Sequence, residues 1–199
     1  MLADGCTWLE NASLVAAFSG QVHILQWMKA THRFSDRSNL CIAAASHGRL
    51  GALQWARANG CPWDSGVCRE SARGGHLEVL KWARSKSCPW GVDVCARAAA
   101  NGMLDILEWA RAQGCPWDCD TCTEAAWGHF EVLKCARCNH CPWDVKTCTG
   151  AAAAGRLDIL KWARAEGCPW DYETYSYARW RQHDEMIEWT IQNGCPQTR

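Results

Sequence analysis

The residues best equipped for chemistry lie in the middle of the chain. Cys119-x2-Cys122-x12-Cys135-x2-Cys138 is a pair of Cys-x-x-Cys knuckles, flanked by Cys115 and Cys141, with His129 and His140 nearby. Zinc takes four thiolates of this kind in a tetrahedron. In an antiparallel helix pair the start of the first helix lies beside the end of the second. That geometry selects Cys119, Cys122, Cys138 and Cys141 as the metal-ligand candidates and leaves Cys135 too far into its helix. The same knuckles could instead make a redox-responsive array, but the βαβ context of a thioredoxin-like motif is missing. A structural explanation competes with both, because Cys115, Cys122 and Cys141 recur in register along the whole chain. Hydrolytic and phosphoryl chemistry have no footing: no Gly-rich phosphate loop, G-x-S-x-G or H-E-x-x-H occurs. His76, His129 and His183 share one repeat position and are not read as catalytic.

What must position these residues is a repeat. Cys-Pro-Trp begins at Cys61, Cys88, Cys115, Cys141 and Cys168, and Cys195-Pro196 begins it again, at spacings of 27, 27, 26, 27 and 27. Cys6-Thr7-Trp8 and Phe34-Ser35-Asp36 are degenerate copies. One domain, 1–199, is therefore read as seven units, 6–33, 34–60, 61–87, 88–114, 115–140, 141–167 and 168–194, with the tail 195–199 opening an eighth. A second cysteine column runs through Cys41, Cys68, Cys95, Cys122 and Cys148. A second tryptophan column runs through Trp27, Trp55, Trp82, Trp109, Trp162 and Trp189, with Cys135 the exception. Residues that recur at one repeat position are read as stacked core, since stacking is how such units bury apolar faces. Trp82 and Trp109 are accordingly expected to be largely buried, at a cost of ~3–5 kcal/mol for Trp109→Ala.

Composition narrows the setting. The 199 residues include 15 cysteines and 14 tryptophans, and 21 basic residues balance 21 acidic ones. Zero net charge gives no sign of a nucleic-acid or anionic-membrane partner. No run approaches the ~18 apolar residues of a membrane span. The opening MLADGCTWLENASL has no basic stretch of a secretory signal. An odd number of cysteines without such a signal is expected to stay reduced in the cytoplasm.

Each unit reads as two short helices. Asp64, Asp118, Asp144 and Asp171 are placed to cap the first. Small residues follow, as in Ala44-Ala45, Ser71-Ala72, Ala98-Ala99, Ala125-Ala126 and Ala151-Ala152, and Gly48, Gly75, Gly102, Gly128 and Gly155 end the helix. The second helix carries acid near its start (Glu78, Asp105, Glu131, Asp158) and arginine near its end (Arg57, Arg84, Arg111, Arg137, Arg164), in keeping with the helix dipole. Gly60, Gly114, Gly167 and Gly194 sit where a C′ glycine belongs. Alternating strand patterns are absent. The expected fold is all-α, a solenoid of stacked antiparallel helix pairs.

These units resemble the ankyrin repeat family. Ala98-Ala99-Ala100-Asn101-Gly102-Met103-Leu104-Asp105-Ile106-Leu107 and Gly75-His76-Leu77-Glu78-Val79-Leu80-Lys81 are similar to the family's A-A-x-x-G-H-L-E-V-V core. Cys68 and its equivalents stand where the family's T-P-L-H has leucine, and Thr121 and Thr147 approximate its threonine. The departure is length: the link here is only Gly-Cys-Pro-Trp-Asp, where ankyrin units carry a β-hairpin finger, so the fingers are expected to be stunted or absent. Short Cys-Pro-Trp-Asp units are similar to ankyrin-type arrays of large DNA viruses and protists, for which host-cell cytoplasm is the viral setting. The resemblance implies a monomeric, non-catalytic protein-interaction scaffold without cofactor, nucleic acid or membrane, binding a protein on its concave face. Residue by residue, it places the contact surface at Phe18, His47, Arg73, Asn101, Trp127, Trp180 and Arg181. The zinc-binding or redox-responsive array is the alternative. An adaptor role would need an effector segment that residues 1–5 and 195–199 are too short to hold.

The fifth unit, 115–140, is the irregular one. Trp127 stands alone where other units have two residues, Cys135 replaces the column tryptophan, and Cys119, Cys135 and Cys138 are surplus to the columns. Trp127 is expected either to fill the space left at Cys135 or to face a partner.

Overall fold

The computed structural model describes residues 11–32 and 39–198. Units 6–33 and 34–60, and the degenerate copies at Cys6 and Phe34, therefore lie partly outside the described residues. The chain divides into two compact units between Trp90 and Gly91. The first holds α1 (Ala12–Ser19), α2 (Val22–Ala30), α3 (Leu40–Ser46), α4 (Leu50–Ala58), α5 (Ser65–Arg73) and α6 (Leu77–Ser85). The second holds α7 (Asp93–Ala100), α8 (Leu104–Ala112), α9 (Cys119–Ala125), α10 (Phe130–Cys138), α11 (Val145–Ala153), α12 (Leu157–Ala165), α13 (Tyr172–Trp180) and α14 (Asp184–Gln192). No strand occurs among the described residues. Each unit is an α-solenoid stack of helix pairs.

Local chemistry sets the helix limits as the sequence indicates. Asp64, Asp118, Asp144 and Asp171 each accept a backbone N–H two residues on, from Gly66, Asp120, Lys146 and Glu173, at 2.8 to 3.1 Å. These bonds satisfy a donor that the first helical turn would otherwise leave open. The second helices end in a left-handed residue, which is glycine at Gly60, Gly114, Gly167 and Gly194 but His32 (φ 55°), Ser87 (φ 61°) and His140 (φ 63°) in three repeats.

Odd-numbered helices stack closely: α1 on α3 on α5 in the first unit, and α7 on α9, α11 and α13 in the second. Alanine makes this approach possible. Ala44, Ala45, Ala72, Ala98, Ala99, Ala125, Ala126, Ala151 and Ala152 have no solvent exposure. Even-numbered helices touch one another far less. Their inward face is sealed by Leu53, Leu80, Leu107, Leu133 and Leu160, all fully buried.

The tryptophan columns correct the sequence expectation. Trp82 and Trp109 are half-buried rather than buried, and Trp27 is 40% exposed. The even helices touch one another little, so each indole stays partly in water, although Phe130 of α10 also meets Trp162 edge-on at 5.4 Å. The loop tryptophan takes the remaining contact edge-on: Trp63 meets Trp82 at 5.8 Å, Trp143 meets Trp162 at 5.9 Å and Trp170 meets Trp189 at 5.6 Å between centroids. Truncating Trp162 to Ala should therefore cost about 2 kcal/mol, below the ~3–5 kcal/mol of a fully buried indole. Urea unfolding measures the difference.

His140→Gly should stabilise the second unit by about 1 kcal/mol, because a side chain in the left-handed region crowds its own carbonyl. At the equivalent Gly60, Gly114 and Gly167 a Cβ would meet nothing within 4 Å, so the cost is conformational alone. An unchanged denaturation midpoint in the glycine variant would contradict this account.

Candidate functional site

Consecutive repeats are tied by side chains that reach back for main-chain carbonyls. The thiol of Cys88 donates to Asp64 O at 3.3 Å, and Cys115, Cys141, Cys168 and Cys195 make the same bond to Gly91, Asp118, Asp144 and Asp171 at 3.3 to 3.5 Å. At the start of the second helices, His76 Nε2 meets Ser46 O and His129 Nε2 meets Ala100 O, both at 3.1 Å. Arg49 and Arg156 use the same repeat position to donate to Phe18 O and Gly128 O. His76 and His129 are thus structural, whereas the buried Nε2 of His183 at the same position has no hydrogen-bond partner. The two bonded rings dictate their neighbours, since a Cβ on Gly48 would lie 2.7 Å from His76 Nδ1 and one on Gly102 2.5 Å from His129 Nδ1.

The arginines do more than complement the helix dipole. Arg57, Arg84, Arg111, Arg137 and Arg164 each donate Nη1 to the carbonyl of the cysteine four residues on. The same guanidinium lies over the loop indole of Trp63, Trp90, Trp117, Trp143 and Trp170 at 3.9 to 4.3 Å. Sequence reading missed this pairing. Its signal was the invariant six-residue spacing from arginine to loop tryptophan.

No described cysteine is in a disulfide. The four metal-ligand candidates are not gathered: among the described residues no three Cys, His, Asp or Glu side chains converge as a metal site. Cys122 and Cys141 are buried, the Cys122 thiol donating to the Cys141 carbonyl at 3.9 Å and the Cys141 thiol to Asp118 O, while Cys119 is half-exposed and faces Asp144 and Cys138 is exposed. Burial, reinforced by the neighbouring Cys61, pushes the Cys41 thiol up to about 12. The hydrogen bond to Cys141 and burial also hold Cys122 well above the ordinary thiol range. Such thiols stay protonated and act as donors.

The proposed contact residues occupy the C-terminal ends of the odd helices. In the first unit, Phe18 packs against His47 at 4.9 Å and 32°, while exposed Arg73 pairs with Glu70 at 2.7 Å. In the second, Asn101 is exposed and donates to Arg97 O at 3.0 Å. Trp127 is 47% and Trp180 69% exposed. Trp127 lies over Gly150, where a Cβ would come within 3.3 Å of its Nε1, and it does not enter the space beside Cys135. Trp180 meets Tyr177 edge-on at 6.1 Å, with Arg181 4.6 Å over its ring. A cavity of about 360 Å³ lined by Tyr172, Glu173, Ser176, Tyr177 and Trp180 opens on this helix.

The ankyrin repeat domain of human ASB11, known from a crystal structure, is similar to this chain with a TM-score of 0.63 and 19% identity, over 80% of this chain and 85% of that domain. The fold is thereby ankyrin-like. No protein-family model matches the chain, and no curated protein matches it. No helix among the described residues is long and apolar enough to cross a membrane.

The buried thiols carry a pH signature. A folded-state value near 12 against an ordinary 9.0 means that the folded chain holds its proton where the unfolded chain releases it. The contribution of this thiol to stability should be constant below pH ~9 and be lost as pH rises toward ~12. Urea unfolding across that range checks it. Cys41→Ala should shallow the decline, and an identical pH profile in that variant would remove Cys41 as a source.

Proposed function

We propose that the chain is a non-catalytic protein-interaction scaffold that binds its partner along the C-terminal ends of the odd helices. Ankyrin folds generally serve as such scaffolds, and the likeness to the ASB11 repeat domain supports the class of function. The observation that carries the surface is the exposure of Trp127 and Trp180, two indoles at one repeat position with nearly half or more of their surface in water. Exposed tryptophan contributes little to folding and is enriched where partners dock, because a large rigid ring buries much area at low entropic cost. The column varies from repeat to repeat, through Phe18, His47 and Arg73 in the first unit and Asn101, Trp127, Trp180 and Arg181 in the second, while the alanines beneath stay fixed. That pattern fits recognition carried on a constant frame. The partner is a protein, and the scaffold acts as a monomer in a reducing cytoplasm.

Affinity capture with the whole chain, compared by quantitative mass spectrometry with a Trp127→Ala/Trp180→Ala variant, tests the surface. Specific partners should be depleted about thirtyfold or more, the scale of losing a ~2 kcal/mol anchor. The thermal midpoint should stay within the change expected of ~0.5 kcal/mol at a surface site. Equal capture by both forms would overturn the assignment.

A further inference from the structure

Between α8 and α10 the tryptophan column is interrupted. Elsewhere an even-helix indole stands edge-on to the loop tryptophan of its own repeat, at 5.6 to 5.9 Å and 64 to 70° in three repeats. In the fifth repeat the loop tryptophan is present: Trp117 has Arg111 over one face at 3.9 Å. The position facing its edge holds Cys135, whose side chain is far smaller than an indole. A cavity of about 290 Å³ lies there, lined by Leu107, Glu108, Arg111, Trp117, Cys135 and Asn139. Its floor reaches Leu107, a core leucine without solvent exposure. The equivalent groove between α12 and α14 has a similar volume but is walled by Trp170 and Trp189 and does not reach Leu160. Trp127 does not fill the fifth-repeat cavity, because it lies over Gly150 on α11.

We propose that this cavity is a binding site for one exogenous indole ring, seated where the other repeats seat their own column tryptophan. The size suits a single bicyclic ring and lies just below the ~300–1,000 Å³ of ordinary ligand pockets. Edge-on packing against Trp117 supplies the favourable aromatic geometry. The Glu108 carboxylate, 3.9 Å from the Cys135 sulfur, offers an acceptor to a ring N–H at the mouth of the cavity. Two sources share this chemistry, a free small indole and a tryptophan side chain of a polypeptide. The site is separate from the odd-helix surface and does not depend on its assignment.

The test is ¹⁹F NMR on the purified whole chain with two probes, 5-fluoroindole and N-acetyl-5-fluorotryptophanamide. Binding of the first is expected with a Kd of roughly 0.1–1 mM, the range for a ligand of this size. Binding of both assigns a side chain as the natural ligand, and binding of 5-fluoroindole alone assigns a small molecule. Cys135→Trp, which restores the column residue, should weaken either probe at least about tenfold, while Cys135→Ala should retain it. A second readout needs no variant: saturating 5-fluoroindole should slow iodoacetamide labelling of Cys135 and leave the exposed Cys138 unchanged, read by peptide mass mapping. Failure of both probes to bind, unaltered binding in Cys135→Trp, or equal labelling of Cys135 with and without ligand would overturn the proposal.

Discussion

The structure depends on how closely consecutive odd helices approach. A pair of helices of seven to nine residues has too little surface to bury its own apolar face, so its stability must come from its neighbours. Alanine at two successive positions lets those helices pack almost backbone to backbone. Once they are that close, main-chain carbonyls of one repeat come within reach of side chains of the next. Cysteine thiols, His76, His129, Arg49 and Arg156 all exploit that reach. The thiol bonds add a second donor to carbonyls that already accept a backbone N–H of their own first helical turn.

Cysteine is suited to this layer for a simple reason. It is small enough for a helix–helix seam and still carries a donor. Serine would fit the volume, but its hydroxyl is more costly to bury if imperfectly paired. Abundant thiols therefore signal packing and hydrogen bonding here, and the elevated Cys41 and Cys122 thiols are the electrostatic mark of that burial. Metal ligation would require thiolates to converge, whereas among the described residues no three such side chains gather.

The even-helix side obeys a different rule. Its helices are spaced apart, and the gap is occupied by loop tryptophan, column tryptophan and arginine in an alternating layer. Amphipathic residues suit such a half-wet layer, since the guanidinium and the indole edge keep contact with water while their apolar parts cover the leucines. Replacing one large ring by Cys135 does not collapse this layer. The surrounding groups are anchored to separate backbones by hydrogen bonds, as Arg111 is to the Cys115 carbonyl, and a cavity persists.

Much of this was written in the sequence, because it follows from short-range chemistry. The repeat period is read by counting along the chain, and the aspartate caps, the glycine stops and the paired alanines are each patterns within one helical turn. The histidine column was also legible as a recurring repeat position. The sequence could not say that the tryptophan columns would be half-exposed, because exposure depends on the distance between even helices, and no local pattern encodes that distance. The arginine–tryptophan stacking was hidden for a related reason: its partners are six residues apart but meet only when the loop folds back over the helix end. The choice for Trp127 was equally tertiary. The glycine at position 150 on the neighbouring helix leaves the room that its ring takes.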